Sequence, residues 1–191
     1  GEELDEALKA IEGNLLIEEV EFCLCKFDRR IFERMVKILF TMERTKGLKF
    51  VSCWCQEEDQ GEMWKIMERS RENWWKISKI EISGRSDLYQ ILFGAATSTY
   101  WTSLRELSLD FASLIKSANN NLVYKEIKYL TLNFDHSEVS DEEVKNLVSE
   151  MLKSLTQLIS LKLDFSETEI TDEGVSDLAS QGLKHLTQLT S

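Results

Sequence analysis

Two close pairs of cysteine, Cys23–Cys25 and Cys53–Cys55, are the residues of this sequence whose type and spacing best suit a chemical site. Four thiolates in two pairs can hold a zinc ion, which takes sulfur ligands in a tetrahedral arrangement. The pairs would have to face one another across two neighbouring strands. The test of a zinc site is therefore the register in which those strands align.

In a β-strand, side chains two positions apart lie on the same face. Aligning Val20 with Val51 places the second cysteine pair on the interior face and the first pair on the opposite face. We therefore expect no metal and no cofactor, although a shift of one residue in the register would restore the zinc hypothesis. Four thiols that stay reduced are typical of an intracellular protein, so we expect a cytoplasmic location.

The two histidines give little support to a catalytic site. His136 follows Asp135, but a Ser-His-Asp arrangement also needs a nucleophile elbow or an oxyanion loop, and the sequence has no motif for either. His185 lies in a predicted outer helix, where a solvated side chain is expected. The sequence also contains no glycine-rich phosphate-binding loop, so we predict that the protein is not an enzyme.

The elements that position these residues are repeats. The phrase LTQL occurs at 155–158 and again 31 residues later at 186–189, and the segments after Glu138 and Glu169 match at the same offset. Such self-similarity indicates a repeat architecture. The pattern L-x-x-L-x-L begins near residues 17, 48, 77, 104, 127 and 158, with a truncated seventh copy at 189. The predicted strands centre near Val20, Val51, Ile80, Leu107, Leu130 and Leu161.

Helical patterns separate the strands. Residues 1–16 contain a leading amphipathic helix, Asp28 is a predicted N-cap, and Ser140 and Glu143 form a predicted capping box. Each strand–helix unit would bury its apolar face only against its neighbours. We therefore interpret 1–191 as one α/β domain of about six repeats.

The segment LISLKLDFSETEITDEGVSDLASQGLKHLTQL resembles the leucine-rich repeats of the ribonuclease-inhibitor type, including the variant found behind F-boxes. The sequence of this segment is also similar to long protist repeat arrays. The resemblance implies a horseshoe-shaped solenoid with parallel strands on the concave face and helices on the convex face. Because the last repeat is the most regular and natural solenoids end in atypical caps, we expect the native chain to continue beyond residue 191.

Exposed aromatic residues on the concave face are candidate binding anchors. Trp54 lies between two cysteines that the alignment points inward, so it is predicted to point outward together with Phe50 and, two repeats on, Tyr129. The alternative is that a neighbouring loop or the N-terminal segment covers Trp54. Acidic residues predominate on the same face. They are Glu19, Glu21, Glu81, Glu106, Asp110 and Asp164.

The net charge of −11 argues against nucleic acid or an anionic membrane as a partner, because both are bound through basic surfaces. No apolar run is long enough to cross a bilayer.

We predict a non-catalytic module that binds a protein, expected to be basic, through the concave face. One alternative is a GTPase-activating repeat protein, for which Arg85 would be the catalytic arginine. The other is the substrate-recognition arm of a ubiquitin ligase, which would need an F-box upstream.

Overall fold

The computed structural model describes residues 2–84, 88–93, 100–110 and 126–190. Six strands in this part of the chain form one sheet, and each pairs in parallel with the next in chain order. They are β1 (Glu19–Cys23), β3 (Gly47–Val51), β5 (Lys79–Ser83), β6 (Glu106–Asp110), β7 (Tyr129–Asn133) and β8 (Ser160–Asp164). Two short strands, β2 (Lys26–Phe27) and β4 (Trp54–Cys55), form a second parallel pair. The predicted parallel sheet is confirmed.

Helices connect the strands, as predicted. They are α1 (Glu2–Ile11), α2 (Arg29–Thr41), α3 (Glu57–Arg69), α4 (Leu88–Phe93), α5 (Asp141–Glu150) and α6 (Asp172–Asp177). The connection after β6, with Phe111, falls in 111–125, outside the described residues. Asp28 caps α2 by accepting a hydrogen bond from the Ile31 amide (2.8 Å), and the capping box of Ser140 and Glu143 begins α5. Both predicted caps are confirmed.

One backbone hydrogen bond recurs before every strand of the six-stranded sheet after the first. In each case an amide donates to the carbonyl of the equivalent residue one unit earlier in the chain. The donor and acceptor pairs before these five strands are Lys46–Glu18, Ser78–Lys46, Arg105–Ser78, Lys128–Arg105 and Ile159–Lys128, and the same bond recurs after β8 between Thr190 and Ile159. These equivalent positions match the predicted starts, displaced by one residue, in every unit except the second.

The second unit begins three residues earlier than predicted. Leu48 lies beside Val20, and Phe50 lies beside Phe22, so the first apolar position of the pattern falls on Thr45 and not on Leu48. Thr45 is fully buried, and its hydroxyl donates to the Ile17 carbonyl (2.8 Å). A threonine can replace leucine here because this hydrogen bond satisfies its buried hydroxyl. The predicted strand centre at Val51 was therefore wrong; Val51 ends β3.

The core lies on one face of the sheet, where alternate strand residues pack under the helices. Leu107, Leu109, Leu130 and Leu132 are buried, as predicted. The same prediction was wrong for Leu161 and Leu163, which are only partly buried. They lie on β8, which within the described residues pairs with a strand on one side only, so fewer side chains cover them.

The first three units and the last two units leave the sheet through different turns. Leu24, Ser52 and Gly84 follow β1, β3 and β5 at equivalent places, and all three have positive φ. Near the C-terminus the positive φ falls two residues later, at His136 and Glu167. The earlier kink redirects the chain into β2 and β4. The later one lets Phe134 and Phe165 continue the inward alternation and stack at 4.7 Å.

No helix within the described residues is long and apolar enough to cross a lipid bilayer.

Candidate functional site

The face of the six-stranded sheet that points away from the core is the candidate site, and we call it the open face. The strand register arranges its side chains in three rows. The first row contains Glu19, Gly47, Lys79, Glu106, Tyr129 and Ser160. The second contains Glu21, Lys49, Glu81, Ser108, Thr131 and Lys162. The third contains Cys23, Val51, Ser83, Asp110, Asn133 and Asp164.

Ion pairs neutralise much of the acidic charge at the β1–β5 end of the open face. Lys49 Nζ lies 3.3 Å from Glu21 and 3.2 Å from Glu81, so one ammonium group bridges two carboxylates across three strands. The hydrogen bonds that Lys49 donates to Glu81 and Glu21 raise its pKa above the ordinary value. Lys49 was missed from the sequence because the wrong register placed it on the other face.

A second ion pair crosses a glycine. Lys79 Nζ lies 3.0 Å from Glu19 Oε2, although β3 runs between their strands. The residue between them is Gly47, and a Cβ at this position would lie 2.9 Å from Glu19 Cγ. The missing side chain therefore provides the space through which Glu19 reaches Lys79.

A polar groove of about 240 Å³ crosses the open face from β5 to β8. Its side chains are carboxylates, hydroxyls, an amide and one ammonium group. The polar lining consists of Glu81, Ser83, Ser108, Asp110, Thr131, Asn133, Lys162 and Asp164. Hydrogen bonds from the Ser166 hydroxyl and amide lower the pKa of Asp164, which keeps this carboxylate charged. The groove therefore offers several hydrogen-bond acceptors to a positively charged group.

Tyr129 lies beside this groove in the first row, between Glu106 and Ser160. Its side chain is 46% exposed, which is unusual for a large aromatic residue within a regular strand. Of the three predicted aromatic anchors, Tyr129 is the one that the structure places on the open face with substantial exposure.

The prediction that Phe50 is exposed was wrong. Phe50 is fully buried and packs against Phe22 at 5.4 Å and Phe27 at 6.2 Å between ring centroids. The error follows from the second unit, where a start at residue 48 instead of 45 reverses the inward and outward positions of β3.

Trp54 is exposed, but it does not belong to the six-stranded sheet. It lies in β4, beyond the kink at Ser52, and pairs with Lys26 of β2. Its exposed fraction is 40%, so a substantial part of the ring is accessible to solvent. The kink therefore separates Trp54 from the three rows of the open face, contrary to the prediction.

The cysteines also depart from the predicted arrangement. Cys23 lies on the open face, and Cys53 and Cys55 are buried, as expected. Cys25 was predicted to point away from Cys53, but the strand register places the two side by side at equivalent positions. Among the described residues, no group of three histidine, cysteine or acidic side chains is placed to hold a metal ion.

The remaining residues considered for chemistry are not brought together. His136 contacts Glu167 (3.0 Å) and Asp135 (3.7 Å) at an exposed turn. His185 lies in a short 3₁₀ turn near the end of the chain. Arg85, the arginine considered for GTPase activation, lies outside the described residues.

The chain matches no model of a known protein family. A search of curated proteins found no match either.

Proposed function

We propose that this chain is a leucine-rich-repeat solenoid of the ribonuclease-inhibitor-like type, with the open face as its concave surface. Two observations support this architecture. Six parallel strands follow one another in chain order, and the same backbone hydrogen bond recurs before each strand after the first. Stacked units of this kind bury a continuous core and leave one strand surface available to partners.

We further propose that the protein is a non-catalytic interaction module whose open face binds a basic protein. The observation that best supports this proposal is that the exposed Tyr129 lies beside the polar groove. A large aromatic side chain that is 46% exposed on a regular strand can fill an apolar pocket of a partner. The groove beside it supplies carboxylates for a lysine or arginine of the same partner.

The charged residues do not contribute equally in this proposal. Lys49 and Lys79 pair with Glu19, Glu21 and Glu81, so those carboxylates add little potential. The charged residues at the other end of the face are Glu106, Asp110, Asp164 and Lys162. Acids outnumber bases there, and this excess would steer a basic partner and accelerate association at low salt. Trp54 would add an apolar contact only for a partner that extends past the kink.

A cytoplasmic location is part of the same proposal. All four cysteines are unbridged, and three of them are wholly or partly buried. Such thiols are typical of a reducing compartment.

The test is affinity selection of a displayed peptide library with the purified chain, followed by binding measurements on the selected peptides. We expect the peptides to combine lysine or arginine with an apolar residue. Tyr129→Ala and Asp164→Lys should each weaken binding at least about tenfold, which is the loss typical of a hot-spot residue.

Glu142→Lys is the matched control because it introduces the same charge change as Asp164→Lys on helix α5. Binding should also weaken as ionic strength rises from about 0.05 to 0.3 M, because the attraction is screened. Peptides whose affinity falls with Glu142→Lys and not with Tyr129→Ala would place the binding surface on the helices and contradict the proposal.

A further inference from the structure

Two cysteines from neighbouring units lie side by side in this structure. Cys25 and Cys53 occupy equivalent positions, because Cys23 aligns with Val51 and Lys26 with Trp54. The Trp54 amide donates to the Cys25 carbonyl (3.0 Å), which holds the two backbones side by side. Adjacent strands lie about 4.8 Å apart, and disulfides span Cα separations of about 4.4–6.8 Å.

The thiols themselves are oriented by the backbone. Cys53 Sγ donates to the Phe22 carbonyl (3.1 Å), and Cys25 Sγ donates to the Cys23 carbonyl (3.3 Å). Both acceptors belong to β1, so both thiols bond to the same strand.

In the register of the described strands, the other two cysteines lie beside residues of other types. Cys23 lies beside Val51 on the open face, and its thiol contacts Glu21 (3.4 Å). Cys55 is buried beside Phe27 in the second sheet. In unbroken strands Cys25 and Cys53 would follow Cys23 and Val51 onto the open face, and the kinks at Leu24 and Ser52 turn the chain so that Cys53 is buried.

We propose that Cys25 and Cys53 are a redox modification site that closes to an intramolecular disulfide on reaction with an oxidised low-molecular-weight thiol such as glutathione disulfide. Cys25 is the attacking residue, because it is partly exposed whereas Cys53 is buried. Its thiolate displaces one glutathione and forms a mixed disulfide. Cys53 then loses its proton to solvent and attacks the Cys25 sulfur, which releases the second glutathione. Two protein thiols are oxidised, and one glutathione disulfide is reduced to two thiols.

The reaction is expected to be slow at neutral pH and faster in alkali. Burial raises the pKa of the Cys25 thiol, and burial raises that of Cys53 to about 12. Thiolate attack therefore accelerates with pH, since the reactive form becomes more abundant. Such a pair would respond to sustained oxidising conditions and not to brief fluctuations. The proposal is independent of the proposed binding function.

The test uses two matched double variants. Cys23→Ser with Cys55→Ala leaves only the proposed pair, and Cys25→Ser with Cys53→Ala leaves only the other two thiols. Each folded protein is incubated with glutathione disulfide at pH 8.5, alkylated and weighed by intact mass spectrometry. We expect the first variant to lose two mass units and both alkylation sites, at a yield at least about tenfold above the second.

Wild-type protein provides a second measurement that does not depend on how the variants fold. Chymotrypsin can cleave after Leu24 and after Trp54, which separates the two cysteines of each pair. The expected product is a cross-linked peptide pair that joins Cys25 to Cys53. When Cys53 alone is replaced by alanine, the mixed disulfide between Cys25 and glutathione should accumulate instead. A disulfide between Cys23 and Cys25, or between two protein molecules, would overturn the proposal. The absence of any cross-link after all the glutathione disulfide has been consumed would also overturn it.

Discussion

The carboxylate of Asp141 accepts hydrogen bonds from both the amide (2.9 Å) and the hydroxyl of Thr171, thirty residues later in the chain. Asp141 begins helix α5, and Thr171 is the N-cap of α6. Gly174 lies against the same carboxylate, since a Cβ at this position would collide with Asp141 Oδ1. One acidic side chain therefore fixes the start of the next helix and links two successive units.

Replacing Asp141 with asparagine is expected to lower the thermal midpoint at pH 7. The pKa of Asp141 lies below the ordinary aspartate value of 3.8, chiefly because its carboxylate accepts the Thr171 hydroxyl bond. A lowered pKa means stability that is present above about pH 4 and lost as the pH falls through the folded-state value. The difference between wild type and Asp141→Asn should therefore shrink as the pH is lowered below 3.8. Asp135→Asn, on an exposed turn, is the control and should leave the thermal midpoint at pH 7 nearly unchanged.

Gly84→Ala is expected to destabilise the protein by about 1–3 kcal/mol, for two reasons that can be separated. Gly84 has a φ of +72°, and a Cβ there would collide with the Ser52 hydroxyl. Gly13 has a similar φ of +77°, but a Cβ at that position would meet nothing within 4 Å, so Gly13→Ala reports the backbone term alone. Urea unfolding should show a larger loss for Gly84→Ala. Equal losses would mean that Ser52 can move aside.

Phe50→Ala should cost about 3–5 kcal/mol in the free energy of unfolding, because it empties a packed aromatic site. Trp54→Ala should change stability by less than about 1 kcal/mol, since this side chain is 40% exposed on the two-stranded sheet. Circular dichroism during urea titration measures both. If Phe50→Ala had the smaller effect, the inward orientation of Phe50 on β3 would be wrong.

The sequence predicted the strands well wherever leucine or isoleucine occupies the first position of the pattern. It failed in the second unit because Thr45 occupies that position, and only its hydrogen bond to Ile17 shows that the threonine is buried. The first repeat is 28 residues long, from Ile17 to Thr45, but the prediction gave it the 31-residue length of the C-terminal repeats. Every error at Phe50, Lys49 and Cys25 follows from that shift.

The kinks could not be predicted for a different reason. Positive φ is signalled by glycine at Gly84, but Leu24 and Ser52 adopt it without that signal. Leucine in this conformation is held by its neighbours, through the bond from its amide to the Val51 carbonyl. The displacement of Trp54 from the open face and the burial of Cys53 both depend on these turns. Tyr129 was correctly predicted because no kink precedes it in its unit.

Leu130→Ala and Leu161→Ala should differ although the two residues are equivalent in the pattern. Leu130 is 2% exposed between two strands, and its truncation should cost about 2–5 kcal/mol. Leu161 is only partly buried on β8, so less apolar surface returns to water and the cost should stay below about 2 kcal/mol. The comparison requires urea melts of both variants under one set of conditions. Equal costs would indicate that β8 is covered in solution.

Lys49→Met should leave Glu21 and Glu81 without their shared cation, because Lys49 Nζ lies within 3.3 Å of both. The raised pKa of Lys49 means that its contribution is fully present below the ordinary lysine value of 10.5 and is lost as the pH rises through the folded-state value. At pH 7 the variant should therefore melt at a lower temperature than wild type. The difference in melting temperature between wild type and the variant should be smaller in about 1 M salt, because salt screens the repulsion between the carboxylates.

Lys37→Met is the control for Lys49→Met, since Lys37 forms an ion pair with Glu33 on the exposed surface of α2. Its melting temperature should change little with salt relative to wild type. Lys49→Met should also make the open face more acidic and, if the proposed function is correct, should strengthen the attraction of a basic peptide at low salt. An unchanged melting temperature together with unchanged peptide affinity would show that the three-strand ion pair does not form in solution.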